Sequence, residues 1–211
     1  MQKYLGGVVL ALAFSLLLPS AWAGKYNKTL DIGDPAPAWN DLPGVDGKQH
    51  SLVDLKEKEV VVVVFTCNSC PYAVDVEARL TALNKQLSAD GKGALVAVCS
   101  NVFKDDTLEK ISARAKEQKF GFAYLHDDEK SSLANAFGAR RTPEFFVLDK
   151  ERKIVYMGAL DDSPDGKKVQ KTYVADAVAA VLAGNTPEVE ETPPVGCLIR
   201  FAKARRGKKS Q

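Results

Sequence analysis

Residues 59–65 read EVVVVVF, and the chain then runs directly into Thr66-Cys67-Asn68-Ser69-Cys70-Pro71. A β-branched run with no polar alternation fits a strand buried on both faces, which requires a sheet covered by helices on either side. Pro71 suits the first turn of a helix, and Val76, Leu80, Leu83 and Leu87 follow at helical spacing. Two cysteines three positions apart therefore sit where a buried strand hands over to a helix.

The remaining chain alternates in the same way. Asp46-Gly47 marks a hairpin turn between short strands. ALVAVCS (94–100) is a second buried strand. The helix after it opens at Asp106-x-x-Glu109, which resembles a capping box. GFAYL (121–125) is a short strand and SSLANAFG (131–138) a short helix stopped by glycine. EFFVLDKERKIVYMG (144–158) gives two strands around a tight charged turn, and VQKTYVADAVAAVLAG (169–184) a last amphipathic helix. Strands alternating with helices predict a mostly parallel sheet with an antiparallel pair added late in the chain. The expected class is α/β: a central mixed sheet, helices on both faces, and an N-terminal β-hairpin.

Composition adds limits. The 211 residues suffice for one well-cored domain with extensions. A formal charge of +2 gives no electrostatic case for nucleic acid as a partner. The last dozen residues, RFAKARRGKKSQ, are basic without an acid, and such a tail can touch anionic surfaces. At the other end, Lys3, the apolar run 5–18 and the A-x-A pattern at 21–23 predict a signal peptide over residues 1–23. That run falls short of the ~20 residues that span a bilayer. Cleavage near Ala23/Gly24 would place the mature chain in a periplasmic or secreted, oxidising setting where disulfides persist.

Several uses of Cys67-Asn-Ser-Cys70 can be weighed. Haem attachment needs histidine at position 71, which is proline. A structural zinc site needs four ligands, and Cys99, Cys197, His50 and His126 are isolated in the sequence. A merely structural bridge this short gains little from loop closure. Thiol–disulfide exchange remains, and it needs a thiolate. Cys70 stands just before the helix start, whose unpaired N–H groups favour an anion, so it is expected as the low-pKa attacking sulfur. Cys67, further into the loop, is expected as its partner with a nearly ordinary pKa. Thr142-Pro143, ahead of a strand, is a position where a cis peptide bond can occur.

With these residues in view, the chain resembles the thioredoxin-like redoxin superfamily, which includes peroxiredoxins and extracytoplasmic thiol–disulfide oxidoreductases. The matching stretches are GDPAPAW (33–39), DGKQHSLVDL (46–55), VVVVFTCNSCPY (61–72) and RRTPEFFVLDKERKIVYMG (140–158). The resemblance spans about residues 30–185. It is strongest to a branch with C-N-x-C-P-Y and a later P-P-V-G-C segment. It implies a thioredoxin-like fold with Pro143 cis and facing the cysteines, and Thr142-Pro143 as the contact for a substrate backbone. In extracytoplasmic members the attacking cysteine follows the strand-final Phe by five residues. From Phe65 that position is Cys70, with Ala73 where the usual partner would stand, so Cys67 is a displaced, upstream partner. The acid that usually precedes that Phe is replaced by Val64.

The peroxidase alternative fits the residues less well. Peroxiredoxins carry Thr or Ser three residues before the peroxidatic cysteine; here those positions hold Cys67 and Val64, and Thr66 is displaced by one. Arg140 or Arg141 could still stand near the site. A non-catalytic metal-binding or copper-delivery module using Cys67, Cys70 and one further ligand is the third alternative, separable by metal content. Cys99 is expected as a buried apolar residue and His50 and His126 as surface groups. Cys197, in TPPVGCLIRF (192–201), is a possible resolving thiol, the alternatives being a structural disulfide with Cys99 or a free thiol. The expected organisation is a signal peptide (1–23), a thioredoxin-like redoxin domain (24–185) and a C-terminal extension with Cys197 and the basic tail (186–211). Expected partners are protein thiols or disulfides, or a reductant protein, with peroxides under the alternative; no cofactor or resident metal is expected.

Overall fold

The computed structural model describes residues 24–202, so the predicted signal peptide and the basic tail beyond Ala202 lie outside the described residues. The hairpin at Asp46-Gly47 joins β1 (Leu42–Pro43) to β2 (Gln49–His50). The main sheet has five strands: β3 (Val60–Phe65), β4 (Gly93–Cys99), β5 (Ala123–His126), β7 (Glu144–Leu148) and β8 (Ile154–Gly158), in the order β5-β4-β3-β7-β8. β3, β4 and β5 run parallel, while β7 and β8 are antiparallel.

β3 lies in the middle, and its valines are fully buried. Val60, Val62 and Val64 face the core under the helices α2 (Glu77–Ser88), α3 (Leu108–Glu117) and α5 (Tyr173–Leu182). Val61, Val63 and Phe65 face Trp39, Met157 and the helix α4 (Ser132–Phe137). Alternation sends successive side chains to opposite faces, so only a residue apolar at every position satisfies both cores. Each such side chain contributes about 1.5–3 kcal/mol by leaving water. At the C-terminal end of β3, Phe65, Phe137 and Phe146 pack edge-to-face with centroids 5.0–5.8 Å apart, a rigid floor under the cysteine loop.

Two expectations about helices are corrected. The helix predicted from Pro71 is two: α1 (Pro71–Asp75) and α2, separated at Val76, whose carbonyl is taken up again by the Leu80 amide at 2.9 Å. The cap of α3 is Thr107, whose hydroxyl accepts from the Lys110 amide at 3.3 Å. Asp106 does not cap; it is fully buried and turned toward the cysteine loop. The helix after 131 does end as expected, on Gly138 in the left-handed region (φ 66°).

The C-terminal extension is ordered against the domain. Thr192 accepts the Ala159 amide at 3.0 Å and bonds the buried Tyr156 hydroxyl at 2.7 Å. The Glu191 carboxylate accepts the amides of Lys25, Tyr26 and Asn27, tying the two ends of the described chain together. The segment then forms β9 (Cys197–Leu198), antiparallel to β6 (Arg141–Thr142) just ahead of Pro143. Ile199 follows, buried in the second core.

Candidate active site

The site forms where β3 ends, α1 begins and β6 leads into β7. Three polar anchors hold the Cys67–Cys70 loop. The buried Asp106 carboxylate accepts the amides of Asn68 (2.8 Å) and Ser69 (3.0 Å) and the Ser69 hydroxyl (2.5 Å). Asn101 adds its side-chain amide to the same carboxylate at 3.0 Å. A carboxylate removed from water must be bonded in this way, and it locks the loop in return. Sequence pattern offered no sign of this role: an acid ahead of a helix reads as a cap.

Cys70 is the residue before α1, in extended conformation, and Cys67 stands at the other end of the loop, just after β3. Both are buried, 1% and 2% exposed, and all four cysteines are unbridged. Across from them the Thr142–Pro143 peptide is cis. Thr142 meets both sulfurs: its hydroxyl lies 3.4 Å from Cys67 Sγ, and its carbonyl 3.0 Å from Cys70 Sγ. Cys197 stands opposite Thr142, the residue whose carbonyl meets Cys70 Sγ, across the β6–β9 ladder. The structure thus gathers Cys67, Cys70, Thr142, Pro143 and Cys197 in one place.

The charges sort the sulfurs. The Cys70 thiol is held well below the ordinary range, first by the Cys67 thiol donating to it, against the cost of burial, and then by the Cys197 thiol and Thr142. The Ala73 amide adds a smaller pull without a formed capping bond, so the neighbouring thiols outweigh the helix start. The Thr142 carbonyl opposes ionisation, since Cys70 can donate to it only as a thiol. The neighbouring thiols and Thr142 together leave the anion favoured. Cys67 does not stay ordinary. The Cys70 thiolate pushes it far up, burial adds to this, and the Asp106 charge repels a second anion. Cys197 is pushed up to about 11 by burial and by Cys70, with Arg200 and Arg141 opposing.

The other candidates lie apart. Cys99, at the end of β4, is fully buried, donates to the Asp106 carbonyl at 3.4 Å and is raised to about 12, mainly by burial. His50 pairs with Asp46 in the hairpin. His126 is half-buried rather than a loop surface group, with Nε2 3.2 Å from the Asp106 carbonyl. Neither arginine meets a cysteine by hydrogen bond: Arg141 donates to the Gly196 carbonyl at 2.6 Å, and Arg140 lies over the Phe201 ring.

Comparison with known proteins gives the family and the fold. The family model described as Redoxin matches residues 31–176. A solved hypothetical protein from Sinorhizobium meliloti is 33% identical, with a TM-score of 0.78 over 84% of this chain and 98% of its own. A solved uncharacterized conserved protein from Geobacillus kaustophilus is 32% identical, with a TM-score of 0.76 over 82% and 94%. A peroxidoxin from Mycobacterium tuberculosis, at 22% identity and a TM-score of 0.56 over 72% and 96%, shares the fold. No curated protein matches the chain. The fold is thioredoxin-like, and the chain belongs to the Redoxin family.

Proposed function

We propose that this protein is an extracytoplasmic thiol–disulfide oxidoreductase acting through Cys70 and Cys67. The observation that carries the reading is the meeting of Cys67 and Cys70 with the cis Thr142–Pro143 peptide, whose threonine hydroxyl lies 3.4 Å from Cys67 Sγ and whose carbonyl lies 3.0 Å from Cys70 Sγ. Exchange requires a thiolate, and a free cysteine at ~8.5 is mostly protonated at neutral pH. In the reducing direction Cys70 attacks a partner's disulfide, forming a mixed disulfide and releasing one partner thiolate. Cys67 then gives up its proton, attacks Cys70 and releases the second partner thiol, leaving Cys67–Cys70 oxidised. Once Cys70 is bound to the partner it carries no charge, so the largest cause of the raised Cys67 pKa is gone. Thr142 and Pro143 are the backbone against which the partner chain lies.

Insulin reduction with a dithiol reductant tests the reading. The full chain turns over, Cys70→Ser does not, and the double variant Cys67→Ser, Cys197→Ser traps a mixed disulfide. Consumption of hydrogen peroxide with no disulfide turnover would overturn it in favour of a thiol peroxidase. The location is tested by N-terminal sequencing of protein from its native host: Gly24 is expected, and a retained Met1 overturns it.

A further inference from the structure

Cys70 and Cys67 are covered, and part of the cover is the chain's own C-terminal segment. β9 pairs with β6 so that Cys197 stands opposite Thr142, the residue whose carbonyl touches Cys70 Sγ. The approach is close enough that a Cβ on Gly196 would sit 2.0 Å from the Thr142 carbonyl oxygen, so only glycine allows it. The segment is fastened on both sides of the cysteine. Arg141 holds the Gly196 carbonyl, the Ile199 amide donates to the Arg140 carbonyl at 2.9 Å, and the Arg200 amide donates to Asn101 at 2.9 Å. The Arg200 guanidinium also lies 3.9 Å from the Phe103 ring centroid. Cys197 is half-buried, the most accessible of the three sulfurs gathered here. Its neighbour Leu198 is 66% exposed.

We propose that Cys197 is a third redox thiol of this site, exchanging with Cys70 and offering the protein's disulfide to an external protein dithiol. This rests on the thiol–disulfide reading of Cys67 and Cys70. From the Cys67–Cys70 disulfide, the Cys197 thiolate attacks Cys70 Sγ. The Cys67–Cys70 bond breaks, Cys70–Cys197 forms, and Cys67 leaves as a thiolate that takes up a proton like the one Cys197 gave up. No electrons enter or leave in this step. The charge that helps hold Cys197 up is that of the Cys70 thiolate, which the disulfide lacks, whereas Arg141 and Arg200 remain. A thiolate of the external dithiol next attacks Cys197 Sγ and expels Cys70, the sulfur best able to leave as an anion. The second thiol of the dithiol then attacks its own mixed-disulfide sulfur, releasing Cys197. Two electrons have passed from the dithiol to the protein, and the dithiol is left as a disulfide.

The test oxidises the full chain, Cys67→Ser and Cys197→Ser with diamide, alkylates free thiols, digests without reduction and reads the linked peptides by mass spectrometry. Cys67→Ser is expected to give Cys70–Cys197 in most molecules, and Cys197→Ser to give Cys67–Cys70. The unsubstituted chain in a glutathione redox buffer is expected to show both bridges, a measurement that needs no variant to fold. Cys197 fully alkylated in oxidised Cys67→Ser, with no Cys70–Cys197 peptide from the unsubstituted chain, overturns the third thiol while Cys67–Cys70 in Cys197→Ser leaves the pair standing. Absence of every bridge overturns the oxidoreductase reading and this inference with it.

Discussion

Asp106 holds Ser69 twice, accepting its amide at 3.0 Å and its hydroxyl at 2.5 Å, and so fixes the middle of the cysteine loop from beneath. Hydrogen bonds to a buried charge are worth about 1.5–3 kcal/mol each, and an amide in place of the carboxylate turns an NH2 toward groups that also donate. Asp106→Asn is expected to cost about 2–4 kcal/mol, which for a domain of this size is a Tm lower by roughly 5–15 °C. Ser69→Ala removes one hydroxyl donor and should cost about 1 kcal/mol. Calorimetry of the two variants checks this; equal Tm values for both would contradict it.

Cys67 is the largest cause of the low Cys70 pKa. Cys67→Ala deletes that donor, so the Cys70 titration should move up toward the ordinary ~8.5. A depressed pKa means the folded protein holds fewer protons than the unfolded chain between the two values, so this group adds stability as pH rises through that window. The contribution is complete above ~8.5 and is lost as pH falls through the folded value. Thiolate ultraviolet absorbance against pH, with Cys70→Ser as blank, should show the midpoint higher in Cys67→Ala than in the unsubstituted protein. A midpoint left in place would mean that the Cys197 thiol, Thr142 or the helix start, and not Cys67, holds the anion.

Gly196→Ala should lift β9 off β6, because the added carbon would overlap the Thr142 carbonyl. Cys70 should then react faster with a bulky maleimide, by roughly tenfold or more if the covered form now costs over about 1.4 kcal/mol to hold. An unchanged rate alongside an unchanged Tm would show that the strand accommodates the methyl.

Glu191→Ala should free the N-terminal end, since three consecutive amides lose one acceptor. These groups are partly exposed, so water replaces the carboxylate in part and the cost should be about 1–2 kcal/mol. Hydrogen exchange should speed up at Lys25, Tyr26 and Asn27 while the β3 amides stay protected.

Much of this architecture is local in origin. The valine run 60–64 could satisfy its neighbours only as a strand with a core on each side, and Pro71 with Leu80, Leu83 and Leu87 had to start a helix against one of those cores. Hydrophobic period and backbone restriction act within a few residues, so a strand, a cysteine loop and a helix in that order were legible from the chain. The pairing of partners distant in sequence was not. Asp106 reads as a helix cap until the fold brings it under a loop 37 residues earlier, where its buried carboxylate takes the loop amides as donors instead of those of the helix. Cys67 reads as an ordinary thiol until its neighbour's charge and its own burial act together. Nothing local in PPVGC says that Gly196 must pass against Thr142 and set Cys197 beside Cys70. Those relations depend on desolvation and on charge at contact distance, and both exist only once the sheet has closed and the C-terminal segment has folded back across it.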